Sequence, residues 1–297
     1  MKRWGGIEAG GTKFVCAVVG EDGKIITETR FPTTTPDETL ARTIDFFREQ
    51  EHEGALSSIG IGAFGPVDLD PSSAQFGFIT TTPKPNWSFV DLKGTIARGL
   101  QKPVVMDTDV NAAAYGEFTL CEHPRQDDPL VYMTVGTGVG VGVIVNGRPL
   151  HGLIHPEVGH TLIPHDRVED PFEGGCPYHG DCLEGLAAGP AMRRRWGVPA
   201  EQLPDDHPAW ALECRYISLA VSNLICTLSP RLVVLGGGVL QRAILYPMIR
   251  SEVARILNDY VKSDRLTSGL DQYIIPPTLG NYAGVLGAVA LARDFLE

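Results

Sequence analysis

Two short glycine turns, Glu8-Ala9-Gly10-Gly11-Thr12 and Val135-Gly136-Thr137-Gly138-Val139-Gly140, each lie between runs of apolar and β-branched residues. Strand, tight turn, strand is the reading for both, and their repetition suggests a duplicated phosphate clamp. Glycine lets a backbone approach a phosphate and present its N–H groups, while the threonine adds a hydroxyl donor or a metal-water contact. Two such turns can hold one triphosphate from opposite sides. The alternative is a pair of ordinary hairpins whose glycines serve only the turn. A P-loop is excluded, because Gly10-Gly11-Thr12-Lys13 is too short and runs into Phe14-Val15-Cys16-Ala17-Val18-Val19, a strand pattern where a helix is required. A dinucleotide fold is excluded likewise, since the second turn leads into Val141-Gly142-Val143-Ile144-Val145 and an Asn146-Gly147 turn.

The 297 residues are enough for two domains, each with its own core. Leu40, Ile44 and Phe47 recur at helical spacing within residues 39–51, and residues 58–64 read as a buried strand, so the first domain is α/β. A loop over residues 68–86, rich in Pro, Gly and Ser, ends at Pro85-Asn86-Trp87 ahead of a helix at 91–100. A strand at 104–107 then meets Asp109 at the start of an alanine-rich helix over 112–120. That junction places the domains at 1–109 and 110–282, with a small-residue helix over 283–297 crossing back to the first. The second domain continues from a strand at 130–135 through a Cys/His loop and a helix at 211–228. It then reaches Gly236-Gly237-Gly238, which either lets a flat ring or a ribose lie on bare backbone or simply makes a tight strand-to-helix turn.

A net charge of −11 disfavours nucleic acid and anionic membranes as partners, the longest basic run being Arg193-Arg194-Arg195. No signal-like stretch and no uninterrupted apolar segment of membrane-spanning length stands out, so the expected location is the cytoplasm. Cys16, Cys121, Cys214 and Cys226 are scattered singly, as reduced thiols would be.

Asp109, just past a strand end, suits a general base for a hydroxyl attacking phosphorus, and equally suits a helix N-cap. Cys176-Pro177-Tyr178-His179-Gly180-Asp181-Cys182 carries three soft or borderline donors with zinc-like spacing; a disulfide is disfavoured by the expected compartment. A closed site needs a fourth ligand, for which His151, His155, His160 and His165 all stand within reach. Four protein ligands leave no place for water, so the metal would be structural. Glu157 and Glu184 flank this loop and suit recognition of adjacent sugar hydroxyls.

Together with Glu157-Val158-Gly159-His160 and Gly280-Asn281-Tyr282-Ala283-Gly284, these segments make the chain resemble the sugar-kinase branch of the ROK family (repressors, open reading frames and kinases). The likeness spans nearly the whole chain and is strongest to the bacterial fructokinases of that branch. It implies the two-domain actin-like ATPase (ribonuclease H-like) α/β fold, with a duplicated β-sheet core and an interdomain cleft shared by ATP and sugar. It implies phosphorylation of D-fructose by Mg2+-ATP to fructose 6-phosphate, with Asp109 as base. Phosphate contacts are implied at Gly10, Gly11, Thr12, Lys13, Thr137 and Gly138, and nucleoside contacts at Gly189, Gly236, Gly237 and Gly238. Asn86, Asp109, Glu157 and Glu184 would face the sugar. His160 would complete a structural Zn2+ site with Cys176, His179 and Cys182, and the chain would form a homodimer. Two positions depart from the common family pattern: Glu8 stands where many relatives have aspartate on magnesium-bound water, and His179 replaces a thiolate, as in the fructokinase-like subgroup. The alternatives are another hexose, as in a mannokinase, a glucokinase or a broad hexokinase, and a non-catalytic sugar-binding regulator. A DNA-binding repressor is disfavoured, because the first turn begins within ten residues of Met1 and the charge is acidic.

Overall fold

The computed structural model describes residues 2–121 and 128–295. The chain divides into two compact units, one of Met1–His123, Arg148–His155 and Thr278–Glu297, the other of Pro124–Gly147 and Pro156–Pro277.

The first unit is built on a five-stranded sheet of β1 (Arg3–Ala9), β2 (Lys13–Gly20), β3 (Ile25–Pro32), β4 (Ile59–Ala63) and β5 (Val104–Thr108), in the order β3-β2-β1-β4-β5. β1 pairs antiparallel with β2 and parallel with β4, and β4 pairs parallel with β5. Ile7, Phe14, Phe47, Ile59, Ile61, Trp87 and Ile96 are fully buried in one core cluster. The 68–86 loop is held by the aromatic residue that follows it: Trp87 packs tilted against Phe14 and edge-on to Phe64, at 5.6 and 5.5 Å between ring centroids, and its Nε1 donates to the Thr34 carbonyl at 2.9 Å. Helices α1 (Pro36–Glu51), α2 (Leu92–Leu100) and α3 (Asp109–Leu120) belong to this unit, as does the C-terminal helix Ala283–Asp294.

The position of α3 moves the boundary expected at residue 109. Its small residues let it lie backbone to backbone on the C-terminal helix: a Cβ placed on Gly287 would stand 1.8 Å from the Ala112 carbonyl oxygen, and one on Gly116 would stand 2.9 Å from Gly287 Cα. The alanine-rich run therefore belongs with the first unit, and the division follows it.

The second unit repeats the arrangement. β6 (Leu130–Val135), β7 (Val139–Val145), β8 (Leu232–Gly236) and β9 (Ile274–Ile275) lie in the order β7-β6-β8-β9. β6 pairs antiparallel with β7 and parallel with β8, and β8 pairs parallel with β9, matching β2-β1-β4-β5. Each glycine turn thus closes the equivalent hairpin of its sheet. The unit's helices are α4 (Leu183–Ala187), α5 (Gly189–Trp196), α6 (Ala209–Leu228) and α7 (Leu245–Leu257), with two single turns following. By length and composition α6 can cross a membrane, which the sequence reading did not bring out. Much of it is nevertheless core, with Trp210, Tyr216, Ile217, Ala220, Val221 and Leu224 buried.

Candidate active site

In the first unit, β5 ends at Thr108 and α3 begins at Asp109. Thr108 is the N-cap, its Oγ1 accepting from the Asn111 N–H at 3.0 Å. The capping role open to Asp109 is filled by its neighbour, while Asp109 Oδ1 accepts from the Val110 N–H at 2.9 Å in the first helical turn. The junction is fixed from beneath by Asp107, 3% exposed, which sequence reading did not single out. Its Oδ1 accepts from the Thr108 N–H at 2.7 Å and from Asn111 Nδ2 at 2.8 Å, and its Oδ2 accepts from His151 Nε2 at 2.9 Å. That bond raises the His151 pKa above its ordinary value against the opposing effect of burial. The strand-end motif Asp-Thr-Asp-Val-Asn carried the signal, but His151 lies 44 residues away and nothing local links the two.

The first glycine turn is pinned by Thr33, whose Oγ1 donates to the Gly10 carbonyl at 2.6 Å and whose N–H donates to the Thr12 carbonyl at 3.0 Å. Thr12 and Lys13 are exposed, and a Cβ on Gly11 would meet nothing within 4 Å. Asn86, at φ 68° and exposed, sits directly before the Trp87 anchor. Glu8 faces the start of the C-terminal helix, where the Val285 N–H donates to it; desolvation raises its pKa, and Lys13 and Arg30 oppose the rise.

In the second unit the structure brings His160, Cys176, His179 and Cys182 together, with all four donor atoms within 4.8 Å of one another. Cys176 Sγ lies 3.7 Å from His160 Nδ1 and 3.6 Å from His179 Nδ1, and Cys182 Sγ lies 3.7 Å from His160 Nδ1. A tetrahedral zinc ion, with bonds of about 2.3 Å to sulfur and about 2.0–2.1 Å to nitrogen, sets its S···N edges at about 3.6 Å, so the donor set fits such an ion. Burial, together with Cys176, pushes the Cys182 thiol up to about 11, a cost that a bound cation removes. The other three upstream histidines within reach, His151, His155 and His165, are engaged elsewhere. His151 bonds Asp107, His155 Nε2 accepts from the Val67 N–H at 3.2 Å, and His165 bridges Asp181 and the Asp170 carbonyl at 3.0 and 2.9 Å.

Glu157 precedes the single helical turn Val158–His160, and Glu184 lies in the first turn of α4, two residues past Cys182. Desolvation and then the Glu184 charge push the Glu157 pKa up to about 7. Glu184 Oε2 accepts from the Val139 N–H at 3.0 Å. In the second glycine turn Thr137 is exposed, and the Gly136 carbonyl accepts from the Gly189 N–H at 2.8 Å. The three glycines after β8 differ in what they face. A Cβ on Gly236 would meet the Tyr132 hydroxyl at 2.7 Å and one on Gly237 the Val135 carbonyl at 2.3 Å, whereas Gly238 opens on space free for 4 Å. Packing explains the first two, and Gly238 offers bare backbone to a ligand.

Two sheets of one strand order, each with a glycine turn in the equivalent hairpin, make the actin-like ATPase fold, which the chain shares with solved sugar kinases. The family model described as ROK family matches residues 4–295, and the chain belongs to that family. It is 42% identical to a fructokinase of Lactococcus lactis subsp. cremoris, covering 97% of this chain and 96% of the relative. It is 41% identical to a fructokinase of Streptococcus mutans, covering 98% of each. Among solved structures it is similar to a ROK hexokinase from Thermus thermophilus, at a TM-score of 0.77 and 25% identity over 98% of each chain.

Proposed function

We propose that this protein is a fructokinase, transferring the γ-phosphoryl group of ATP to the 6-hydroxyl of D-fructose. The observation that carries this reading is identity above 40% to fructokinases along almost the full chain. Asp109 is the base: its carboxylate takes the proton of the 6-hydroxyl as that oxygen bonds to the γ-phosphorus, the bond to the β,γ-bridging oxygen breaks, and ADP leaves. Asp107, bonded to Asn111, Thr108 and His151, holds the strand-to-helix junction that presents Asp109. The amides of Gly11, Thr12, Thr137 and Gly138 in the two glycine turns act on the phosphates; Lys13 adds positive charge. A magnesium ion arriving with the nucleotide would neutralise phosphate charge. The nucleoside lies against Gly189 and the backbone at Gly236, Gly237 and Gly238. Asn86, Glu157 and Glu184 accept hydrogen bonds from sugar hydroxyls. His160, Cys176, His179 and Cys182 would hold a zinc ion, which would fix the segments that carry Glu157 and Glu184. The protein works as a homodimer in the cytoplasm, as the family likeness implies.

A coupled assay of ADP release with Mg-ATP across fructose, mannose, glucose, N-acetylglucosamine and N-acetylmannosamine tests the reading. A kcat/KM for fructose at least tenfold above the others is expected. Preference for another hexose overturns the substrate assignment, and absence of turnover with all of them overturns the kinase.

A further inference from the structure

We propose that Glu184 sets the conformation of the second phosphate turn and thereby couples the metal-holding loop to nucleotide affinity. The inference deepens the kinase reading and rests on it. A turn containing two glycines has many conformations, and phosphate binding must select one of them. Fixing it beforehand removes part of the ordering cost of binding.

The restraint is a bond between residues 45 positions apart: Glu184 Oε2 accepts from the Val139 N–H at 3.0 Å. The turn is shaped around that carboxylate, since a Cβ on Gly138 would stand 2.6 Å from the same oxygen. Glu184 is itself held by the metal loop, because Cys182 is the N-cap of α4 and Glu184 lies in its first turn. The other polar group of Val139 faces a second part of that loop. Gly159, next to His160, approaches so closely that a Cβ there would stand 1.9 Å from the Val139 carbonyl oxygen. A third restraint closes the clasp where α5 begins, as the Gly189 N–H donates to the Gly136 carbonyl at 2.8 Å. Metal donors at 160 and 182 therefore bracket the N–H and C=O of one residue of the turn. A carboxylate that only faced sugar would need neither the Val139 bond nor a glycine at 138.

The test is the affinity of magnesium-bound adenylyl imidodiphosphate, measured by calorimetry on zinc-loaded protein with no sugar present. Glu184→Ala removes the acceptor and should weaken binding about tenfold, equivalent to about 1.4 kcal/mol. Glu184→Gln keeps an acceptor oxygen of the same reach and should stay within about threefold of wild type. A contact to sugar alone moves neither value. The proposal is overturned if Glu184→Ala binds the nucleotide as tightly as wild type or more tightly. It is also overturned if Glu184→Gln, which preserves size and fold, loses as much affinity as the alanine variant. Wild-type protein that binds no nucleotide refutes the underlying kinase reading, which separates that failure from failure of the coupling.

Discussion

Replacing Asp109 with asparagine separates chemistry from folding at this site. The substitution preserves side-chain size, and asparagine Oδ1 can still accept from the Val110 N–H that now meets Asp109 Oδ1 at 2.9 Å. The α3 cap is untouched, because Thr108 supplies it through the Asn111 N–H at 3.0 Å. What is lost structurally is one negative charge in the first turn of a helix, worth about 0.3–1 kcal/mol. For units of this size that lowers the melting temperature by about 1–4 °C. What is lost chemically is the proton acceptor, and general-base catalysis contributes about 10²–10⁴-fold. At about 1.36 kcal/mol per tenfold in rate, that is about 3–5 kcal/mol on the barrier. Fructose-dependent ADP release, followed with pyruvate kinase and lactate dehydrogenase, should show kcat down at least 100-fold. Thermal unfolding of the same preparation should remain close to wild type. An Asp109→Asn enzyme with more than a tenth of wild-type kcat refutes the assignment. A melting temperature lower by more than about 10 °C refutes the division of labour between Thr108 and Asp109.

Three further perturbations follow from the geometry. Cys176→Ser should reduce bound zinc from about one per chain to a small fraction and lower the unfolding temperature, as metal analysis and calorimetry on protein purified without added metal will show; full zinc occupancy contradicts the four-donor site. The Glu157 pKa stands at about 7, above the ordinary 4.5, so the native state holds its proton through that window. The stability it contributes is present below about 4.5 and is lost as pH rises through about 7. Glu157→Gln, which cannot ionise, should therefore be the more stable protein at pH 8 and lose that advantage on acidification; a stability difference that does not change with pH contradicts the shift. Gly287→Ala would place its Cβ 1.8 Å from the Ala112 carbonyl oxygen, forcing α3 and the C-terminal helix apart. It should cost about 1–3 kcal/mol in urea unfolding, and an unchanged midpoint contradicts the backbone-to-backbone packing.

Features that depend on neighbouring residues were the ones legible in the sequence. Both glycine turns, the Cys176–Cys182 donors and the strand-to-helix placement of Asp109 follow from local spacing, and α1, α2 and α6 lie within a few residues of where periodicity puts them. Asp109 looked equally like a base or a cap because the flanking Thr108 and Asp109 are both good caps; only the Thr108 Oγ1 contact distinguishes them. Four upstream histidines stood within reach of the metal loop, and spacing had no means of separating them. They are distinguished by where the chain carries each one: to Asp107, to the Val67 amide, to the two cysteines, and to Asp170 with Asp181. The unit boundary was misplaced for a similar reason. An alanine-rich helix gives little indication of its partner until Gly116 and Gly287 are seen to meet. The Glu184–Val139 bond, spanning 45 residues, likewise has no local trace, though the glycine at 138 that accommodates it was visible from the start.

Phosphorus-31 NMR of the wild-type enzyme turning over Mg-ATP with fructose tests the central claim most directly, because it reads where the phosphoryl group goes. The account predicts one fructose 6-phosphate formed for each ATP converted to ADP, with no accumulation of inorganic phosphate. Phosphate appearing on the 1-hydroxyl, or released to water at the rate ADP forms, would contradict it.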